Sequence, residues 1–176
     1  MIFSETRVRG AFVLDLERRE DERGYFARAW CRKEFETLGL VTAFVQANVS
    51  FSKERGTVRG LHYQAAPHEE TKLIRCSRGA IYDVVLDVRK TSLTYGEWVG
   101  IELVAGSQRT LYVPAGCAHG FQTLEDDTEV FYQVSEFYAP AAERGVRYDD
   151  PAFRIRWPRV VAAISEKDRS WPDYVR

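Results

Sequence analysis

Long apolar runs are missing from this 176-residue chain, and no segment approaches the roughly 18 residues that a membrane-spanning helix needs. An excess of one charge is missing too, because 25 Lys and Arg stand against 26 Asp and Glu. That balance leaves no basic field to hold a nucleic-acid backbone and excludes a polyelectrolyte binder. Cysteine is scarce: Cys31, Cys76 and Cys117 are odd in number and have no CxxC spacing. They read as reduced structural thiols, which fits a cytoplasmic protein and argues against a disulfide-stapled secreted fold. The opening residues, MIFSETRVRG, carry no apolar h-region, so no secretory signal is expected. With about 150 residues per domain as a soft prior, residues 1–176 are expected to form one domain.

What the chain has instead is alternation. Val8, Gly10, Phe12 and Leu14 fall on one side of a half-buried strand over 7–16. Similar patterns predict strands over 44–51, 57–63, 72–78, 80–88, 98–104, 109–113, 119–124 and 129–137. Turn signals separate them, among them Arg55-Gly56, Arg78-Gly79, Tyr95-Gly96 and Pro114-Ala115-Gly116. Short strands at this spacing predict an all-β, antiparallel sandwich or barrel. One helix is predicted over 32–38, with Gly39 as its C-cap, and the tail after Pro158 has room for a second before Pro172.

Three histidines are few enough to weigh singly. In Arg59-Gly60-Leu61-His62-Tyr63-Gln64, regular alternation puts His62 with Gln64, and Arg59 with Leu61 and Tyr63 on the opposite face. A lone histidine in a strand is most often a satisfied core or surface residue. Two spacings change the reading when taken together. Gly56, five residues, His62, then Gln64 and Glu69, resembles the first half of the cupin metal motif, and Pro114-x-Gly116-x-x-His119 resembles the second. Such sites combine imidazoles with a carboxylate, as borderline metals require. Gln64 stands where the second histidine would fall, and an amide is a poor ligand. The scaffold resembles a cupin whose metal set has been dismantled, so no metal or other cofactor is expected.

Five strings sharpen the resemblance: DERGYF at 21–26, RGLHYQ at 59–64, YVPAGCAHGF at 112–121, ERGVRYDDPAF at 143–153 and SEKDRSWP at 165–172. In order and spacing they resemble the dTDP-4-dehydrorhamnose 3,5-epimerase family along nearly the whole chain. The resemblance implies a metal-free, cupin-like jelly roll with a few short helices. It also implies a homodimer that inverts C3 and C5 of a nucleotide-linked 4-keto-6-deoxy sugar. By the same resemblance His62 matches the family's base, Asp168 the carboxylate that orients it, Lys72 the lysine near the sugar 4-oxygen, and Tyr132 the proton donor. Arg23 and Arg59 match phosphate contacts, and Phe26, Gln46 and Asn48 match positions around the base and nearby phosphate. Tyr138 matches an aromatic flanking the sugar, and His119, Glu143 and Lys167 other ligand contacts.

These residue types suit the reaction. A proton alpha to a ketone is weakly acidic, so its removal needs a placed base and a group that stabilises the enolate oxygen. A donor on the other ring face then completes inversion. One position departs from the pattern: Arg28 stands where the family often has a glutamate beside the base. A guanidinium only donates hydrogen bonds, so thymine is the default by family weight alone. Val49 and Phe51 also make their stretch more apolar than in relatives. The competing readings are a sugar-nucleotide 3,4-ketoisomerase, a metal-dependent cupin oxygenase, which Gln64 argues against, and a non-catalytic sugar-nucleotide binding module.

Overall fold

Alternating apolar residues become strands wherever Gly, Asp and Pro let the chain reverse. The computed structural model describes residues 1–175. In chain order the elements are β1 (Ile2–Glu5), β2 (Phe12–Asp15), β3 (Arg18–Asp21), β4 (Gly24–Ala27), α1 (Arg32–Thr37), β5 (Gln46–Ser52), β6 (Thr57–Gln64) and β7 (Lys72–Arg78). There follow β8 (Ala80–Asp87), β9 (Trp98–Val104), β10 (Thr110–Val113), β11 (Cys117–Thr123), β12 (Thr128–Val134), β13 (Glu143–Gly145), β14 (Ala163–Ile164) and α2 (Glu166–Arg169).

Two sheets face each other. The first runs β1-β2-β10-β7-β12-β5, and the second runs β13-β6-β11-β8-β9, with β14 parallel to the outer half of β6. Strands β3 and β4 form a separate hairpin. Ile74 and Leu111 from the first sheet meet Ile81, Val85 and Phe121 from the second in a shared core. The second sheet is apolar on its other face as well, where Leu61, Val84 and Leu86 pack against Phe153, Trp157 and Tyr174 of the C-terminal segment. On the back of the first sheet, Leu14, Leu73 and Tyr112 receive Phe35 of α1. Complete burial of that one phenyl ring stabilises the fold by about 2–3 kcal/mol.

The all-β sandwich agrees with the strand pattern, and so do the predicted helices. Gly39 has φ +66° and ends α1, where the Leu40 N–H donates to the Phe35 carbonyl. The tail helix is α2, whose N-cap Ser165 accepts from the Asp168 N–H. The long strand over 7–16 is corrected: it begins only at Phe12, because Gly10 at φ +82° turns the chain and Val8 is buried inside that turn.

A second correction bears on function. His119 lies opposite His62, but Phe121 lies opposite Arg59, so β6 spends one more residue than β11 over that interval. The extra residue falls at Gly60-Leu61 and makes a bulge. Gly60 has φ +108°, and a Cβ there would stand 2.6 Å from Gly120 Cα, so only glycine fits. The bulge turns Arg59 and His62 onto one face, where regular alternation had set them apart.

Candidate active site

The inner ends of both sheets leave a cavity of about 510 Å³. His62 lines it from β6, and its Nε2 lies 2.6 Å from Asp168 Oδ1. The other carboxylate oxygen, Oδ2, accepts the Gly60 N–H at 3.1 Å. Burial alone would push the Asp168 carboxyl up, but the His62 hydrogen bond and charge, with the Gly60 N–H, outweigh it and hold the group below the usual carboxylate range. A carboxylate held in this way fixes the ring's orientation and stabilises an imidazolium.

Lys72 and Tyr132 enter the same cavity from the first sheet. The Lys72 ammonium is buried, donates to the His62 carbonyl at 3.4 Å and pairs with Glu70 at 3.0 Å. Burial pushes the Tyr132 phenol up and the Glu70 charge adds to this, while Arg59 opposes both. The phenol is therefore held in its protonated form. Arg59 itself is fixed by Ser52 Oγ at 3.0 Å and the Phe51 carbonyl at 2.9 Å.

His119 lines the cavity beside His62, and its Nε2 meets Asp83 Oδ1 at 2.6 Å. At the mouth, Lys167 pairs with Glu143, and the Tyr138 hydroxyl donates to Glu143 at 3.0 Å. Burial acts to raise the Glu143 carboxyl, but Lys167 and Tyr138 outweigh it and keep the group ionised. Gln46 and Asn48 share the inward-facing side of β5 with Ser50, which lines the cavity, and Gln46 Oε1 accepts the Tyr138 N–H at 3.1 Å. Gln64 is committed elsewhere. Its amide donates to the His68 and Phe137 carbonyls and accepts the Ala139 N–H, closing a loop.

Three of the sequence candidates lie apart from this cavity. Arg23 sits at the β3–β4 turn, 84% exposed and paired with Asp21. Phe26 is 67% exposed, and Arg28 pairs with Glu34 at 3.6 Å. Two site residues escaped sequence reasoning. Glu70 lies two residues before Lys72, the spacing that puts both on one side of an extended chain. Asp83 is the lone acid in the apolar run AIYDVVL, a signal that it must have a partner.

The family model for dTDP-4-dehydrorhamnose 3,5-epimerase matches residues 5–175. The dTDP-4-dehydrorhamnose 3,5-epimerase of Sinorhizobium fredii is 48% identical over 157 residues, which are 86% of this chain and 78% of the relative. That of Methanothermobacter thermautotrophicus is 43% identical over 172 residues, 96% of this chain and 92% of its own. The crystal structure of the Bacillus anthracis dTDP-4-dehydrorhamnose 3,5-epimerase, with TDP and PPi bound, has a TM-score of 0.92 at 44% identity. It covers 97% of this chain and 98% of its own. The relatives also include a dTDP-4-dehydrorhamnose 3-epimerase from Streptomyces niveus, 38% identical over 92% of this chain and 78% of its own. Fold, site and relatives define a cupin-like isomerase that epimerises a nucleotide-linked 4-keto-6-deoxy sugar. The chain belongs to the dTDP-4-dehydrorhamnose 3,5-epimerase family. Among the described residues, no helix is long and apolar enough to cross a membrane.

Proposed function

We propose that the chain inverts both C3 and C5 of a dTDP-4-keto-6-deoxyhexose, with His62 as base and Tyr132 as acid. The observation that carries this reading is their placement: His62 comes from the second sheet and Tyr132 from the first, across one cavity. A sugar ring lying between them has one face toward each. Inversion needs removal of a proton from one face and delivery to the other.

At each carbon His62 takes the proton alpha to the C4 ketone and becomes an imidazolium, which Asp168 stabilises. The electron pair of the broken C–H bond moves into the enolate, and the Lys72 ammonium stabilises its oxygen. Tyr132 then returns a proton from the opposite face. Its raised pKa keeps it protonated until a base as strong as an enolate arrives. Exchange with water restores both side chains. No net oxidation occurs, so the reaction needs no redox cofactor.

Arg59, His119 and Lys167 supply donors for the diphosphate, while Gln46, Asn48, Tyr138 and Glu143 border the mouth where the nucleoside would lie. Arg23, Phe26 and Arg28 serve the cavity of a second protomer in a homodimer. Their exposure on a separate hairpin supports this assignment. Arg28 makes base recognition differ from that of relatives with a carboxylate there. The whole chain acts as one domain, and its three free thiols fit the cytoplasm.

Proton NMR in deuterium oxide with dTDP-4-keto-6-deoxyglucose tests the reading. Loss of both the H3 and H5 signals is expected. Loss at H3 alone would make the chain a 3-epimerase, and no exchange from folded protein would overturn the reading.

A further inference from the structure

Two of the motifs contain residues that the chemistry above leaves idle, Trp171 in SEKDRSWP and Gly145 in ERGVRYDDPAF. The structure puts them together. A Cβ on Gly145 would fall 2.0 Å from Trp171 Cε2 and 2.2 Å from Nε1, so the indole fills the space that any side chain at 145 would occupy. Gly145 is in turn the cross-strand partner of His62 on β6. The indole therefore rests on the strand that flanks the base, three residues beyond the carboxylate that orients it.

Packing holds the ring in place. Trp171 Nε1 is buried and has no hydrogen-bond partner among the described residues, which forgoes about 1–3 kcal/mol. Polar contacts fasten the backbone around it. Arg147 donates to the Trp171 carbonyl at 3.3 Å and pairs with Asp173 at 2.7 Å, and the Tyr174 N–H donates to Asp150 Oδ2 at 2.7 Å. On the other side of Asp168, Lys167 pairs with Glu143. Helix α2 has only four residues and cannot hold its own shape, because a single turn does not repay the cost of nucleation. The position of Asp168 is thus inherited from the strap that carries it.

We propose that Trp171, seated on Gly145, is a positioning residue that holds the Asp168 carboxylate against His62. The inference rests on the reading of His62 and Asp168 as the catalytic dyad. It also assigns Gly145 a specific reason to lack a side chain: Gly145 is not among the positive-φ residues, so space rather than backbone conformation requires glycine there.

A double-mutant cycle tests it, read as kcat for deuterium exchange at C3 and C5. Trp171→Ala is expected to lower kcat by about 10- to 100-fold, the scale of a small misplacement of a catalytic group. In an Asp168→Asn background the same change is expected to cost less than about twofold, because its route of action is already gone. The 15N signal of His62 Nε2 should shift in Trp171→Ala in the same direction as in Asp168→Asn, and Trp171→Phe should recover most of the lost rate. If Trp171→Ala fails to fold, Gly145→Ala, whose methyl displaces the indole, carries the same cycle. Fully additive losses, or a wild-type rate and His62 signal in folded Trp171→Ala, would overturn the proposal. A wild-type rate in Asp168→Asn is a different failure, since it removes the dyad reading itself.

Discussion

His62 and Asp168 are 106 residues apart in sequence, and their side chains meet at 2.6 Å. Nothing local brings them together. His62 belongs to β6, between β13 and β11 in the second sheet, while Asp168 arrives on a C-terminal segment that crosses the back of that sheet and returns beside β6. The His62–Asp168 pairing is thus a property of the closed fold. Acid and heat should abolish it together with tertiary structure.

The first prediction concerns acid. Burial raises the Asp168 carboxyl in the folded protein, but the His62 hydrogen bond and charge, with the Gly60 N–H, exceed it and hold the group below its ordinary value of 3.8. A depressed carboxyl stabilises the fold at all pH values above its unfolded pKa and loses that contribution as pH falls through the folded one. Urea unfolding of wild type and Asp168→Asn should therefore show a stability gap at pH 7 that narrows as pH falls from 3.8 toward the folded value. A gap that is constant or widens on acidification would contradict the ionised, hydrogen-bonded carboxylate.

Tyr132→Phe separates the two halves of an inversion. The base remains, so deuterium should still enter the substrate, while delivery to the opposite face slows. Product formation is expected to fall by roughly 10²- to 10⁴-fold, the usual contribution of a general acid, and wash-in to fall far less. Quenched samples compared by NMR for exchange and by chromatography for product would show it. Equal losses in both would move Tyr132 out of the role of donor.

Much of this site is legible in the chain, for identifiable reasons. Strands β7 and β9 have the boundaries that alternation predicts, because the turns beside them are marked by Gly79 and Gly96 and their faces differ in polarity. His62 and Asp168 sit inside motif strings, Lys72 and Tyr132 follow from the family resemblance, and all four line one cavity. What escaped has little periodic signal. The β3–β4 hairpin is exposed on nearly every residue, with no buried face to set a period, β14 is two residues long, and the side of β6 that Arg59 takes depends on a bulge at Gly60. Glu70 and Asp83 escaped because a partner reached through space leaves no trace in spacing.

The hairpin gives a third prediction. If its Arg23 serves the neighbouring protomer, His62→Asn and Arg23→Ala homodimers are both impaired, yet a mixed dimer contains one intact site built from the two unmutated halves. Co-expression with random pairing should restore about a quarter of wild-type sites in a two-fold dimer. Analytical ultracentrifugation would confirm the dimer. No recovery from dimers shown to be mixed would contradict the assignment of the hairpin.

The base itself is the central claim, and the most direct measurement is solvent-deuterium incorporation by His62→Asn beside wild type, with dTDP affinity measured by calorimetry on the same samples. The asparagine keeps much of the size and polarity but cannot take up a proton at neutral pH. Incorporation at both C3 and C5 is expected to disappear while dTDP binds within about threefold of wild type, well under the tenfold that 1.4 kcal/mol represents. Incorporation at the wild-type rate by folded His62→Asn would show that another group removes the proton.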